Sequence, residues 1–229
     1  NGQTAGMTTR RDRRRAETVA DIKAAALARM AAEGAPALSL RGIARDIGMS
    51  PAGLYRYYDG IDDLLTELIT DAYADLADAV EAATTGDGDP FERFIAGVHA
   101  YRAWALAHPE RFLLIFGTPI PGYTAPEAGP TVEQNQRMGA ALFAVGVEAW
   151  HAGTLAVPAL SRSVEPAEAA MAGQIGGIPP ELLPVLLGMW ARFHGLVILE
   201  VTGQLHWLYP DPSTFFTGVV TRMVDELRA

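Results

Sequence analysis

The 229-residue chain has no cysteine, which excludes disulfides, thiolate zinc sites, iron–sulfur clusters and a cysteine nucleophile. Lysine is almost missing as well: Lys23 stands alone against seventeen arginines. The common catalytic signatures are absent, with no G-x-S-x-G elbow, no Walker A loop, no G-x-G-x-x-G and no H-E-x-x-H. Glu148-Ala-Trp-His151 is a single E-x-x-H, whereas a di-iron carboxylate site built on helices takes two. His151 is therefore read as a surface or packing residue, and no catalytic residue, metal or cofactor is expected. No alternating run marks a strand, and there is neither a repeat of fixed period nor a low-complexity tract. An uninterrupted membrane-length apolar run is lacking too: Leu182 to Val201 contains Arg192, His194 and Glu200, each costly at a bilayer centre, so it is read as a buried helix and no membrane partner is expected. At the N-terminus, Asn1–Gly6 reads as a cloning remnant before a natural start at Met7, and no apolar signal region follows the basic stretch, so the expected location is the cytoplasm.

What is present is a soluble globular composition, 49% hydrophobic and 20% charged, with a formal net charge of −9 that is unevenly spread. The first sixty residues hold ten basic against six acidic side chains; the remainder holds eight against twenty-one. A basic head on an acidic body suits a chain whose head alone meets a polyanion.

The periodicity predicts an all-α chain. After the cluster Arg10, Arg11, Arg13, Arg14 and Arg15, apolar residues from Val19 to Met30 recur at helical spacing until Gly34 and Pro36. Ser39 stands as N-cap to a two-turn helix bearing Leu40, Ile43, Ala44 and Ile47, stopped by Gly48. Ser50-Pro51 opens a second short helix through Tyr58, and a long helix runs from Ile61 to Ala83. Further helices are expected at about 91–107, 109–117, 131–156, 180–204 and 213–227, with Pro/Gly-rich separators at 118–130 and an irregular stretch at 157–179.

Two short capped helices joined by a tight turn have the form of a helix-turn-helix that enters a DNA major groove. Ser39 and Ser50 with Pro51 start the helices, Ala52 and Gly53 leave room for close approach, and Tyr55, Tyr57, Arg41 and Arg56 offer phenol and guanidinium donors to phosphates or base edges. These nine residues are the candidate DNA-binding set. The stretch from Ser39 to Tyr58, followed by Leu64-Leu65, resembles the DNA-binding domain of the tetracycline-repressor (TetR) family. That resemblance implies a homodimeric, ligand-responsive regulator that represses from a near-palindromic double-stranded operator, and not an enzyme. Two departures stand out. Ile61 occupies a position where many members have a phosphate-binding lysine, and the aromatic pair is Tyr57-Tyr58 rather than His-Phe, so Tyr57 is expected to face DNA and Tyr58 to pack inward.

The expected division is a disordered basic arm over 1–15, the helix-turn-helix over 16–60, and a helical ligand-binding and dimerisation body over 61–229. Trp190-Ala-Arg-Phe-His194-Gly195 resembles the Trp/His-Gly (WHG) signature of one C-terminal subclass. A pocket for a small apolar or aromatic effector is expected among Trp104, Phe112, Phe116, Trp150, Trp190 and His194. The last two helices, with Phe215, Phe216, Val219, Val220, Met223, Val224 and Leu227, are the expected dimer interface. Heavy use of arginine over lysine suits a GC-rich bacterial genome.

Overall fold

Ten helices follow one another in the computed structural model, which describes residues 9–157, 163–175 and 177–228. They are α1 (Arg10–Glu33), α2 (Leu40–Asp46), α3 (Pro51–Leu54), α4 (Ile61–Thr84), α5 (Pro90–Ala107), α6 (Pro109–Phe116), α7 (Pro130–His151), α8 (Pro166–Gln174), α9 (Leu183–Val201) and α10 (Ser213–Asp225). No β-ladder forms among the described residues beyond an isolated bridge between Leu155 and Arg228.

Helix α1 begins earlier than the sequence suggests. The Thr9 hydroxyl accepts from the Asp12 amide at 3.2 Å while the Asp12 carboxylate accepts from the Thr9 amide at 3.0 Å, closing a capping box. Arg10–Arg15 therefore form the first helical turns, not a disordered arm; the rest of that expected arm, residues 1–8, lies outside the described residues. Helix α8 falls where only an irregular stretch is expected, started by Pro166 and by a capping box between Glu165 and Glu168.

Two hydrophobic cores organise the chain. The smaller joins Ile22 and Ala26 of α1, Ile43 and Ala44 of α2, Leu54 of α3, Tyr58, and Leu64 and Leu68 of α4, so it reaches past residue 60. The larger lies among α4, α5, α7, α9 and α10. Helix α5 approaches α4 closely because residue 97 is glycine: a Cβ there would lie 2.5 Å from Thr84 Cγ2. Among the described residues α4 and α6 serve both cores: α4 gives Leu64 and Leu68 to one and Leu76 and Val80 to the other, and α6 gives Leu114 to one and Phe112 and Phe116 to the other. Lys23, bonded to Glu67 at 2.8 Å and Asp71 at 2.6 Å, clamps α1 onto α4.

Helix α9 is apolar and long enough to cross a membrane by composition, but here it packs on α5, α8 and α10, burying Leu186, Met189, Phe193 and Val197. It is shorter than expected at both ends, 183–201 against 180–204, and α7 stops at His151 rather than near 156. A buried ion pair ties α5 to α9 and α10: Arg102 Nε donates to Glu200 Oε2 at 2.7 Å and its Nη2 to Ser213 Oγ at 3.1 Å.

Candidate nucleic-acid interface and sensor body

The two serines do what their positions predict. Ser39 Oγ accepts from the Gly42 amide and Ser50 Oγ from the Gly53 amide, each at 3.1 Å, fixing where α2 and α3 begin. Between the helices Gly48 has φ +65°, a left-handed conformation that a side chain disfavours, and this turns the chain sharply enough to cross α3 over α2. Helix α3 is one turn long and continues as turns through Tyr57, rather than as a helix to Tyr58. Leu54 and Tyr58 face inward at 0% and 3% exposure, so the opposite side, with Ala52, Tyr55 and Arg56, is left to solvent. Ser39, Arg41, Ser50 and Pro51 are exposed as well, while Gly53 and Tyr57 are half-buried. Asp62 and Asp63 occupy the first turn of α4, where carboxylates complement the helix dipole.

The arginines of the head are less often paired than those of the body, although Arg45 approaches Asp46 at 3.9 Å. In the body, Arg93, Arg102, Arg111, Arg137, Arg192 and Arg228 each meet a carboxylate. At the head, Arg29 is held by Asp46 at 2.7 Å, but Arg10, Arg11, Arg13, Arg14, Arg41 and Arg56 have no acidic partner among the described residues. Arg15 lies over the Tyr57 ring, 5.0 Å from its centroid, and so joins the start of α1 to the end of the helix-turn-helix. Arg10, Arg11, Arg14 and Arg15 together with Arg56 and Tyr57 line an open cleft of about 700 Å³. A surface that concentrates unpaired guanidinium groups is arranged to receive phosphates. The α1 arginines are the part of this face that the nine-residue candidate set leaves out.

In the body, four of the six proposed ligand residues come together. His194 stacks on Trp190 at 4.7 Å between centroids and meets Phe116 at 4.8 Å and Phe112 at 5.7 Å. Tyr101, not singled out from the sequence, sits inside the cluster, its hydroxyl 2.8 Å from His194 Nδ1. Trp104 is buried instead against His108 at 5.5 Å, and Trp150 packs on the edge of the large core, so neither is seen in contact with this cluster. His151 is exposed, and Glu148 pairs with Arg93 rather than with it.

Comparison with known proteins agrees with this geometry. Residues 22–68 match the family model described as bacterial regulatory proteins, tetR family, and residues 94–223 match one described as tetracyclin repressor-like, C-terminal domain. The HTH-type transcriptional regulator Mb1846 of Mycobacterium bovis is 33% identical over 203 residues, covering 83% of this chain and 84% of that protein. The chain belongs to the tetR family of bacterial regulatory proteins. Rv1816 of Mycobacterium tuberculosis, also an HTH-type transcriptional regulator, matches over the same shares at the same identity. Among solved structures, the putative regulatory protein SCO4313 superposes with a TM-score of 0.73 at 36% identity, covering 94% of this chain and 98% of that one. A Rhodococcus sp. RHA1 protein with TM-score 0.70 and 22% identity shares the fold over the full length of both chains. This tetR-family protein is thus a DNA-binding transcriptional regulator and not an enzyme. The C-terminal match carries no finer subclass than its description.

The aromatic cluster gives the regulator a pH dependence of defined sign. Burial lowers the pKa of His194, and burial followed by the nearby Arg102 charge lowers that of His99. Below the ordinary histidine value of about 6.5 the unfolded chain then binds more protons than the folded one, so stability falls as pH drops through that value toward the lowered ones. Melting followed by circular dichroism from pH 7.5 to 5.5 should show the midpoint falling, and His194→Phe should flatten the fall, leaving the His99 part. An unchanged pH slope in the variant would remove His194 from this account.

Proposed function

We propose that the regulator binds a near-palindromic operator as a homodimer, represses from it, and is released by a small apolar or aromatic effector held in the helical body, all in the cytoplasm. The observation that carries the DNA half of this reading is the set of unpaired arginines gathered around the exposed side of the helix-turn-helix. Tyr55, Arg41 and Arg56 meet the groove, Tyr57 and the α1 arginines hold flanking phosphates, and most of these contacts position the protein rather than read sequence. A dimer sets two α3 segments about 34 Å apart, in successive major grooves.

Support for the dimer comes from α9 and α10. Phe216, Val220, Met223, Val224 and Leu227 of the expected interface are buried inside the protomer, which leaves Phe215 and Val219 with Gly218 on the outward side. Beside them α9 presents Gly188, Ala191, Gly195 and Leu199 at helical spacing, and nothing lies within 4 Å of a Cβ built at Gly188, Gly195 or Gly218. Such a smooth, apolar strip suits close packing against its own copy. Gly195→Arg should leave the protomer folded, convert a dimer to a monomer in sedimentation runs, and lower operator affinity by about tenfold or more through lost bivalency.

The deciding experiment is a salt-titrated anisotropy assay with labelled DNA from the promoter beside the protein's own gene. Tight, salt-sensitive binding that survives competitor DNA supports the reading. Weak binding, equal on promoter DNA and on sites selected from random sequence, overturns it.

A further inference from the structure

Five guanidinium groups share one cleft at the head. Arg10, Arg11, Arg14 and Arg15 recur at the spacing that makes a single stripe along α1, and Arg56 reaches the same space from the end of the helix-turn-helix. The cleft is open and about 700 Å³ in volume. That size is within the ordinary range for small-molecule sites, roughly 300–1,000 Å³. No acidic residue lines it, and Arg13, on the same turns of α1, falls off the stripe and does not line it either.

The other groups in the cleft narrow what it can hold. Thr18 Oγ1 donates to the Arg14 carbonyl at 2.9 Å, so its proton is used and the guanidinium groups are left as the donors. The Tyr57 ring lies under Arg15 and packs on the small core, so it is no free platform for a nucleobase. The Thr9–Asp12 capping box makes the arginine stripe helical from its first residue, which holds like charges side by side. An anion of several charges relieves that repulsion, and each guanidinium fork matches a phosphoryl group. One phosphoryl group cannot occupy five forks; a short chain of them can. The body, with eight basic against twenty-one acidic side chains beyond residue 60, repels such an anion and leaves the head as its place of approach.

We propose that this cleft binds a free oligophosphate, such as linear polyphosphate or the phosphate chain of a nucleoside triphosphate, reading the run of phosphoryl groups and not the base, and that this anion competes with DNA for the head. A duplex is stiff over lengths far greater than the cleft, so its backbone bears on the rim. A short oligophosphate folds inside. Both draw on Arg56 and on the stripe of α1, so each excludes the other. The competition, though not the oligophosphate binding itself, rests on the DNA reading above. DNA affinity then falls as free oligophosphate rises, without any change in the helical body.

The test is titration calorimetry on the full chain without DNA, using sodium tripolyphosphate, ATP, GTP and AMP in magnesium-free buffer at one fixed ionic strength. One tripolyphosphate should bind per protomer, with ATP and GTP within about threefold of each other and AMP at least about tenfold weaker than either. Arg10→Gln with Arg14→Gln should weaken tripolyphosphate by about tenfold or more, whereas Arg13→Gln, the same kind of charge on the same turns but outside the cleft, should weaken it by less than about twofold. Absence of saturable binding overturns the proposal, and so does an Arg13→Gln loss equal to the cleft variant's, which marks diffuse attraction only. In an operator anisotropy assay, tripolyphosphate at ten times its own Kd should raise the apparent operator Kd by about tenfold, and sodium sulfate at the same ionic strength should not. Bound tripolyphosphate with unchanged operator affinity overturns the competition. If the operator binds and tripolyphosphate does not, the arginines serve the DNA backbone alone and the proposal fails; if tripolyphosphate binds and the protein prefers no DNA, the DNA reading fails instead.

Discussion

Arg56→Glu is expected to weaken operator binding by roughly a hundredfold, one part from the lost phosphate contact and one from the repulsion that replaces it. Arg56 is exposed, follows α3 directly and shares a cleft with four arginines of α1, yet it meets no carboxylate of its own chain among the described residues. Its replacement therefore costs the fold little, within about 0.5 kcal/mol, as for other unpartnered surface positions. Arg56→Ala separates the two parts: affinity should fall about tenfold, alike on operator and unrelated DNA, with the slope of log affinity against log salt reduced by about one. Arg29 is the contrasting case, because its guanidinium is bound to Asp46 and Glu33 and joins α1 to α2. Arg29→Glu should lower the melting temperature, whereas Arg56→Glu should not. Anisotropy titrations at three salt concentrations, with melts of the same samples, make the comparison; an Arg56→Glu protein that still binds operator normally refutes the assignment of this face.

The helix-turn-helix is legible in the sequence because its punctuation is local. Ser39, Gly48, Ser50 and Pro51 each act on backbone within a few residues, and the structure uses them as caps and a left-handed turn. The start of α1 is less legible, since five arginines in six residues look like a solvated arm and only the reciprocal Thr9–Asp12 bonds reveal a helix start. Helix α8 was hidden for a similar reason: it has one buried side chain, Ala172, so no apolar face announces it. Contacts between distant helices are not written in any window of sequence. Tyr101 and Trp104 are three residues apart on α5, yet only Tyr101 reaches His194, ninety-three residues away. The same limit divides α10, where Phe215 and Phe216 are adjacent and one faces outward while the other is buried. Periodicity supplies the helices and their apolar faces, but which face meets which helix is set by close approaches such as Gly97 against Thr84 and Gly146 against Leu186.

Glu200→Ala should destabilise the protomer by about 3–5 kcal/mol, a large share of what holds a domain folded, because it strands a buried guanidinium. Arg102 and Glu200 side chains are only 13% and 5% exposed, and their two-pronged contact has one bond of 2.7 Å. Arg102 also lies over the Phe216 ring at 5.1 Å and donates to Ser213, whose hydroxyl and amide are held in turn by Asp211 at 2.6 and 3.0 Å. The start of α10 is thus positioned through a charge whose direct ion-pair partner is Glu200, and Glu200 is on α9. Removing both charges is a different matter, since desolvating an ion pair consumes much of what its attraction returns. Arg102→Met with Glu200→Leu should therefore be considerably more stable than Glu200→Ala alone, and the double variant separates a stranded charge from a lost contact. Urea unfolding at one fixed protein concentration is the appropriate measurement, because α9 and α10 also carry the proposed dimer surface and any loss of dimer adds a concentration-dependent part to the apparent stability. If the single and double variants lose the same stability, the ion pair is not what anchors α10, and its orientation must come from Phe216, Val220 and Met223 packing into the large core.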